Sequence, residues 1–282
     1  MFMIEELKRF LLVVQEGNLT RTAEKIFITQ SALTQSIHRL EKELHTKLFQ
    51  QKGKQLHLTR DGKSLVIIGE KILQLWSHAH DPEIRKTQIP VYSLGMFDNI
   101  ALRLGKFLQS HTRIEKYALE LTIDATGKLL QQLQLGALDA ALCVVHKTYA
   151  IPKNLSLLQT LTEELIPVSS RQFSEPLTHV PFILYNKGSH TRSQIDEQFI
   201  RHGIQPTICA ESTSVTFMRE LALLGSGIAL LPENFIKSDL DQGSLIKQKM
   251  PIRWTRKYCL IVQKQYTTAP FIQDLLQALK NI

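Results

Sequence analysis

The fold of this chain is most clearly indicated by residues 18–49, NLTRTAEKIFITQSALTQSIHRLEKELHTKLF. This segment predicts a short helix capped by Thr20, a tight turn at Phe27-Ile28 and a longer helix capped by Thr29. Apolar residues recur in the longer helix at spacings of 4, 3 and 4, which indicates one buried face. The residues of that face are Leu33, Ile37, Leu40 and Leu44.

The opposite face of the longer helix is polar but almost uncharged. A helix that only faces solvent more often carries Glu and Lys, whereas Ser, Thr, Gln and His form hydrogen bonds with base edges. The pattern therefore favours contact with DNA bases through Ser31, Thr34, Gln35 and His38.

The next segment predicts a two-stranded wing. Leu48-Phe49 is apolar, residues 51–54 form a turn, and residues 56–58 alternate as a strand. Because Lys52 and Lys54 lie at its tip, the wing can lie along a phosphate backbone.

Residues 61–80 predict one long helix with an apolar seam at heptad spacing. We favour pairing of two subunits through this seam, and the alternative is a helix packed on its own domain. Asp81-Pro82 ends the helix and residues 81–89 form a hinge. The seam consists of Leu65, Ile68, Ile72, Leu75 and Ala79.

From residue 90 onward, short apolar strands alternate with amphipathic helices. Such alternation predicts α/β sheets. A break expected near residues 160–170 divides this part into two subdomains, and a cleft between such subdomains is a usual place for a small ligand.

The 282 residues suffice for about two domains, and 43% apolar with 21% charged residues excludes a mostly disordered chain. No apolar run approaches a membrane span, and Glu5 and Glu6 are wrong for a signal peptide, so we expect a cytosolic protein. Three separated cysteines predict buried apolar residues, because no spacing supports a redox pair or a zinc site. We expect no cofactor, no metal and no membrane contact.

The net charge of +8 is concentrated at the start of the chain. Residues 1–63 hold 11 basic and 7 acidic residues, whereas residues 91–282 hold 20 and 16 over three times the length. A locally basic segment suits a polyanion such as DNA, although it also occurs as a solvated surface.

These motifs resemble the LysR-type transcriptional regulators over essentially the whole chain. The likeness rests on NLTRTAE (18–24), TQSALTQSI (29–37), Leu40-Glu41, Leu48-Phe49 and LTRDG (58–62), and downstream on GALDAAL (136–142) and GSGIALLP (225–232). It implies a mainly α winged helix-turn-helix followed by a two-subdomain α/β, periplasmic-binding-protein-like effector domain. The predicted domains are residues 1–60, a linker helix and hinge at 61–89, and an effector domain at 90–282, with subdomains 90–163 plus 265–282 and 164–264.

The resemblance also implies a mechanism. The helix Gln30–Glu41 enters the major groove of an operator with paired half-sites, and a dimer or tetramer of the chain binds it. A small effector in the cleft shifts the assembly between conformations, and RNA polymerase is a further candidate partner. Gln50-Gln51 replaces a usual basic residue, so either one phosphate contact is missing or Lys52 and Lys54 supply it. The implied DNA contacts are Thr20, Arg21, Gln30, Ser31, Thr34, Gln35, His38, Arg39, Lys52 and Lys54.

By the same resemblance, loops after the strands hold the effector. Asn99 and Thr191 stand where helix N-termini would face an anion, and Arg192 suits a carboxylate. Several of these residues would serve equally as helix caps or ordinary surface residues. The full predicted set is Phe97, Asp98, Asn99, Thr126, His146, Ser189, His190, Thr191, Arg192 and Thr213.

Three other classes of protein compete with a ligand-controlled regulator. An enzyme fused to a DNA-binding domain lacks support, because GxSxG, HExxH, GxxxxGK[ST] and GxGxxG motifs are missing from the sequence. A stand-alone solute-binding protein would not need residues 1–80. An architectural DNA-binding protein would need no ligand cleft and would bind all sequences with similar affinity.

Overall fold

The computed structural model describes residues 2–52, 55–81, 89–97, 99–100, 104–105, 117–145, 149–174 and 179–280. The chain divides into two compact units, residues 1–89 with 135–137 and residues 90–134 with 138–282. The first unit is mostly helical and the second is built on one mixed β-sheet. Among the described residues, no helix has both the length and the apolar character that crossing a lipid bilayer requires.

The first unit contains the predicted helix-turn-helix and wing. Thr29 caps the longer helix as predicted, since its Oγ1 accepts a hydrogen bond from the Ala32 amide at 3.1 Å. The predicted cap of the shorter helix is wrong, because Asn18 Oδ1 accepts from the Arg21 amide at 3.1 Å and Thr20 lies inside the first turn. The elements are α1 (Phe2–Glu16), α2 (Leu19–Lys25), α3 (Gln30–Glu43), β1 (Phe49–Lys52), β2 (Gln55–Leu58) and α4 (Arg60–His80).

A single apolar core holds this unit together. Two glycines let α4 approach it closely: a Cβ on Gly62 would lie 2.1 Å from the Leu48 carbonyl oxygen, and one on Gly69 would lie 2.9 Å from Leu7 Cδ1. The fully buried side chains are contributed by α1, α2, α3 and the residue before β1; they are Leu7, Phe10, Val13, Ala23, Leu33, Ile37, Leu40 and Leu48.

The second unit confirms the expected α/β class. Its described strands follow the order β4-β3-β5-β11-β6-β9-β7-β8, with β10 paired to β6. The elements are β3 (Val91–Met96), β4 (Ala118–Ile123), α5 (Thr126–Gln134), β5 (Ala140–Val144), β6 (Leu155–Ser169), β7 (Pro181–Tyr185), α6 (His190–Arg201), β8 (Thr207–Ser212), α7 (Val215–Leu223), β9 (Ile228–Pro232), α8 (Lys237–Gln242), β10 (Ile246–Lys247), β11 (Trp254–Gln263) and α9 (Pro270–Lys280).

Two long strands join two parallel halves of this sheet. β3 pairs with β4 and β5 in parallel, β7 pairs with β8 and β9 in parallel, and antiparallel β6 and β11 lie between these halves. The break predicted near residues 160–170 is not a loop, because β6 runs through that segment, and the division into two subdomains stays a prediction. The predicted boundary at 163/164 therefore falls inside a shared strand. The alternation also predicts a helix after β3, at residues 99–109, and this segment lies mostly outside the described residues.

The cysteines differ from the prediction at one position. Cys143 and Cys259 are buried as expected, whereas Cys209 is exposed. Strand pairing also places Cys143 directly opposite Cys259, which spacing alone did not indicate. Burial and the neighbouring thiol raise the pKa of Cys143 to about 12. Because the thiolate is the reactive form, the Cys143 thiol is a poor nucleophile at neutral pH.

Candidate functional site

Helix α3 separates its apolar and polar residues onto opposite faces. Leu33, Ile37 and Leu40 are buried in the core, and Ser36 is buried beside Arg9, whose Nη1 donates to its Oγ at 3.3 Å. The structure places the predicted DNA-reading residues together on the other face: Gln30, Ser31, Gln35, His38 and Arg39 are exposed and Thr34 is half-buried.

Hydrogen bonds at the start of α3 set which groups are available to a partner. Thr20 Oγ1 donates to Gln30 Oε1 at 3.1 Å, so the Gln30 amide nitrogen remains a donor. Thr34 Oγ1 donates to the Gln30 carbonyl oxygen at 2.9 Å, so its hydroxyl remains an acceptor. Gln35 has no hydrogen bond within the described part of the chain, so both ends of its amide are available.

Glu41 ties the end of α3 to the first strand of the wing. Its carboxylate accepts from the Leu48 amide at 2.9 Å and from Lys47 Nζ at 2.7 Å. His38 Nδ1 lies 3.2 Å from the same carboxylate, which leaves Nε2 facing outward. Burial raises the pKa of the Glu41 carboxyl, but hydrogen bonds from Lys47, Leu48 and His38 outweigh burial and hold the pKa below its usual value.

The predicted phosphate-binding residues are only partly described. Arg21 is exposed and pairs with Glu16 at 3.3 Å, and Arg39 Nε donates to Glu6 at 2.6 Å with its side chain more than half exposed. These ion pairs hold each arginine against α1 without burying it. The Lys52 side chain and all of Lys54 lie outside the described residues.

The predicted seam of α4 divides between two faces. Leu65 packs against the core of its own unit together with Val66 and Leu73. Ile72 and Leu75 are 37% and 54% exposed, and Ala79 is also exposed. Trp76, which the sequence analysis missed because it lies outside the heptad positions, is 40% exposed beside them. Ile68 is half-buried.

The second unit contains a cavity of about 780 Å³. Helices α5, α6 and α7 all begin at its wall, since Thr126, Ser189 and Ser214 line it. Helix N-termini present unpaired backbone amides and a partial positive charge, so this wall suits an electron-rich group. Seven of the predicted effector residues line the cavity: Phe97, Asn99, Thr126, Ser189, His190, Thr191 and Thr213.

A buried arginine that the sequence analysis missed also lines this cavity. Arg256 on β11 is 2% exposed; its Nε donates to Glu163 at 2.8 Å and its Nη2 to Asn99 at 2.8 Å. Nη1 lies 3.4 Å from Tyr185 Oη and from Thr191 Oγ1. Burial lowers the pKa of this guanidinium, but Tyr185 and Glu163 outweigh burial and keep it charged. One charged group therefore links the ends of β3, β7 and α6 to β6 and β11.

Three predicted effector residues are not placed in the cavity wall. Arg192 is buried elsewhere, because its Nε donates to Asp196 at 2.7 Å and its Nη1 donates to Glu211 at 2.6 Å. A guanidinium with two carboxylate partners has no need of a ligand carboxylate. Asp98 and His146 lie outside the described residues. The Ser189 hydroxyl caps α6 by accepting from the Arg192 amide at 3.1 Å.

Comparisons with known proteins follow this division into two units. Residues 4–63 match the family model of the bacterial regulatory helix-turn-helix proteins of the lysR family, and residues 93–281 match the LysR substrate binding domain. The second match alone covers more than half of the chain. The chain belongs to the LysR family of transcriptional regulators.

Individual members of the family are similar over nearly their full length. An uncharacterized HTH-type transcriptional regulator of Bacillus subtilis, YybE, is 29% identical over 262 residues, which are 86% of each chain. Full-length CbnR in complex with its target DNA has a TM-score of 0.67 at 17% identity and 99% coverage of both chains. Vibrio fischeri DarR bound to DNA has a TM-score of 0.60 at 22% identity, with 99% and 98% coverage.

Family membership establishes the function at the level of class. This LysR-type regulator binds double-stranded DNA through its helix-turn-helix and carries an effector-binding domain that modulates transcription. The predicted family, fold class and regulatory function are thereby confirmed.

Proposed function

We propose that the exposed face of α3 reads the operator, with Gln35 as its main base-reading residue. A glutamine amide pairs with adenine through N6 and N7, which requires a free donor and a free acceptor. The observation that carries this proposal is that Gln35 is exposed, has no hydrogen bond within the described residues and lies on the face opposite the core. Gln30 and His38 supply a donor and a ring nitrogen on either side of it.

The arginines and the wing lysines position the unit on the duplex. Arg21 and Arg39 are exposed at the edges of this face, and we assign them, with Lys52 and Lys54, to the phosphate backbone. Thr20 acts through Gln30, because its hydroxyl proton is donated to that side chain. Such contacts make affinity depend on salt without selecting a sequence.

The exposed part of α4 pairs two copies of the chain. Apolar side chains at Ile68, Ile72, Leu75 and Ala79, with Trp76 beside them, form a stripe that water would otherwise cover. A dimer presents two reading helices, and pairing of dimers gives a tetramer, so paired half-sites are read together.

The cavity of the second unit holds the effector. Its wall contains helix N-termini and Arg256 together with the apolar side chains of Phe97, Ile123, Val144 and Val215. This wall fits a small molecule with a polar or acidic group and an apolar body. Binding there shifts the regulator between conformations and changes operator occupancy without catalysis, and the protein acts in the cytoplasm, where the chromosome lies.

The test is selection of bound duplexes from a random DNA library by the wild-type protein and by Gln35→Ala. We expect the variant to lose discrimination at one base-pair position of each half-site, by about 1–3 kcal/mol. Gln15→Ala, at an exposed position of α1, is the control and leaves the selected sequence unchanged. An unaltered selected sequence for Gln35→Ala would contradict the assignment of the reading face.

A further inference from the structure

The turn between α2 and α3 carries an aromatic side chain in an unusual setting. Phe27 has a φ of +57°, in the left-handed region, and its side chain is 95% exposed. Its amide donates to the Glu24 carbonyl at 3.1 Å, and the Ile28 amide donates to the Ala23 carbonyl at 3.0 Å. These two bonds fix the turn and direct the ring of Phe27 into solvent, while Ile26 and Ile28 pack on the core.

Neither the backbone conformation nor the packing of the core explains a phenylalanine at position 27. A left-handed conformation is easiest for Gly or Asn, and a bulky side chain destabilises it. The exposed ring also has no compensating ring contact within the described residues. The two hydrogen bonds of the turn hold this conformation, and residues in sparsely populated conformations cluster at functional sites, so the exposed ring is a candidate contact for a partner.

The position of this ring identifies the partner. Phe27 precedes Gln30 by three residues, so their Cα atoms lie within about 11 Å of each other. In a helix-turn-helix the second helix enters the major groove N-terminus first while the first helix crosses the backbone, so the turn between them lies at the rim of the groove. Arg21 and Arg39 are exposed in the same helix-turn-helix, each beside a glutamate of α1, and suit contact with phosphates.

We propose that Phe27 is a DNA-contacting residue whose ring packs against the apolar edge of the duplex at the rim of the groove. This inference rests on the proposed reading role of α3. Two apolar groups of DNA lie there, the deoxyribose and the thymine methyl group. One ring among polar neighbours such as Gln30 and Ser31 is too small an apolar area for a protein interface.

The experiment measures Tm and DNA affinity together for Phe27→Asn. Asparagine tolerates the left-handed conformation, so Tm rises by a few degrees, whereas Kd for a duplex selected by the wild-type protein rises about tenfold. The slope of affinity against salt stays unchanged, because an apolar ring releases no counterions. His45→Gly is the matched control, since His45 has a φ of +51° and is exposed in the same unit; it raises Tm and leaves Kd unchanged.

The outcomes separate this inference from the proposed function. A Kd for Phe27→Asn within twofold of wild type would overturn it, and so would a fall in Tm, which would show that the ring stabilises the fold. If Gln35→Ala changes the selected sequence while Phe27→Asn changes nothing, only the Phe27 contact fails. Replacing thymine with deoxyuridine in the duplex abolishes the Phe27 effect for a methyl contact and leaves it intact for a deoxyribose contact.

Discussion

At the scale of single residues, the two ends of α3 are held by different chemistry. Thr29 caps its start, which a threonine before an amphipathic segment predicts. Glu41 holds its end through the amide of Leu48, and this role was not predicted, because the partner becomes a neighbour only when the wing folds back. For Arg192 the prediction and the structure differ. Its guanidinium suggested a contact with a ligand carboxylate, but Asp196 and Glu211 of the chain itself occupy that group.

The hydrogen bonds that the Glu41 carboxylate accepts predict a contribution to stability that is lost in acid. Glu41→Gln is expected to lower the free energy of unfolding by about 1–2 kcal/mol at pH 7, because hydrogen bonds to a charged group are lost. The folded-state pKa of Glu41 is lowered, so this contribution is complete above the ordinary glutamate pKa of about 4.3 and is lost as pH falls through the folded value.

Denaturant unfolding of wild type and Glu41→Gln between pH 3 and pH 7 checks this. Glu43→Gln, at an exposed position of the same helix, is the control and changes stability by less than about 0.5 kcal/mol. A difference between wild type and Glu41→Gln that stayed constant down to the lowest pH would contradict the role of the charge.

The end of α3 also predicts a stabilising substitution. His45 follows the helix in the left-handed conformation, with φ of +51°, where glycine is usual. His45→Gly removes the steric strain, and the greater chain entropy of glycine in the unfolded state offsets part of the gain, so we expect about 0.5–1 kcal/mol. Calorimetric melting measures it. His78→Gly, two residues before the end of α4, serves as the comparison. It places glycine in a helical conformation and should lower the stability of the protein.

At the scale of secondary-structure elements, prediction succeeded where one face is buried. The spacing of apolar residues located α3 and α4 to within one or two residues. It failed for β6, the longest strand, because Glu163, Glu164 and Pro167 interrupt any alternation. Pro167 is tolerated there because only its carbonyl is used, accepting from Gln248 at 2.8 Å.

A charged substitution in the exposed apolar stripe of α4 should disrupt the dimer. Ile72→Asp places a charge in the exposed apolar stripe, so we expect the dimer to dissociate at micromolar concentration. Sedimentation or light scattering of the full chain measures the mass. Ser77→Asp introduces the same charge at an exposed position of the same helix, outside the heptad seam, and should leave the mass unchanged. A full-size dimer of Ile72→Asp would place the interface elsewhere.

At the scale of the whole molecule, the effector domain is organised around a charge pair that no local pattern predicts. Arg256 and Glu163 are 93 residues apart in sequence and meet only because β6 and β11 are neighbours in the sheet. Seven of the ten effector residues that the resemblance implied line the cavity, but the sequence did not predict Arg256 or Tyr185 there. Loops after strands are recognisable in sequence, whereas contacts across an antiparallel pair require the register.

Substitutions of Arg256 and Glu163 should have strongly non-additive effects on stability. Glu163→Ala leaves a buried guanidinium without its carboxylate, so we expect a loss of about 3–5 kcal/mol in the stability of the second unit. Adding Arg256→Met should recover part of that loss. Glu164→Ala, which breaks the exposed pair with Arg253 at 3.2 Å, is the control and costs less than about 1 kcal/mol. Additive losses in a double-mutant cycle would contradict the coupling.

We propose that this regulator recognises specific operators through paired reading helices. Genome-wide capture of bound DNA fragments at two salt concentrations tests it most directly. We expect a small number of sites that survive the higher salt, each with paired half-sites and lying upstream of genes. Diffuse binding that disappears at the higher salt would contradict it, because such binding depends on phosphate contacts alone.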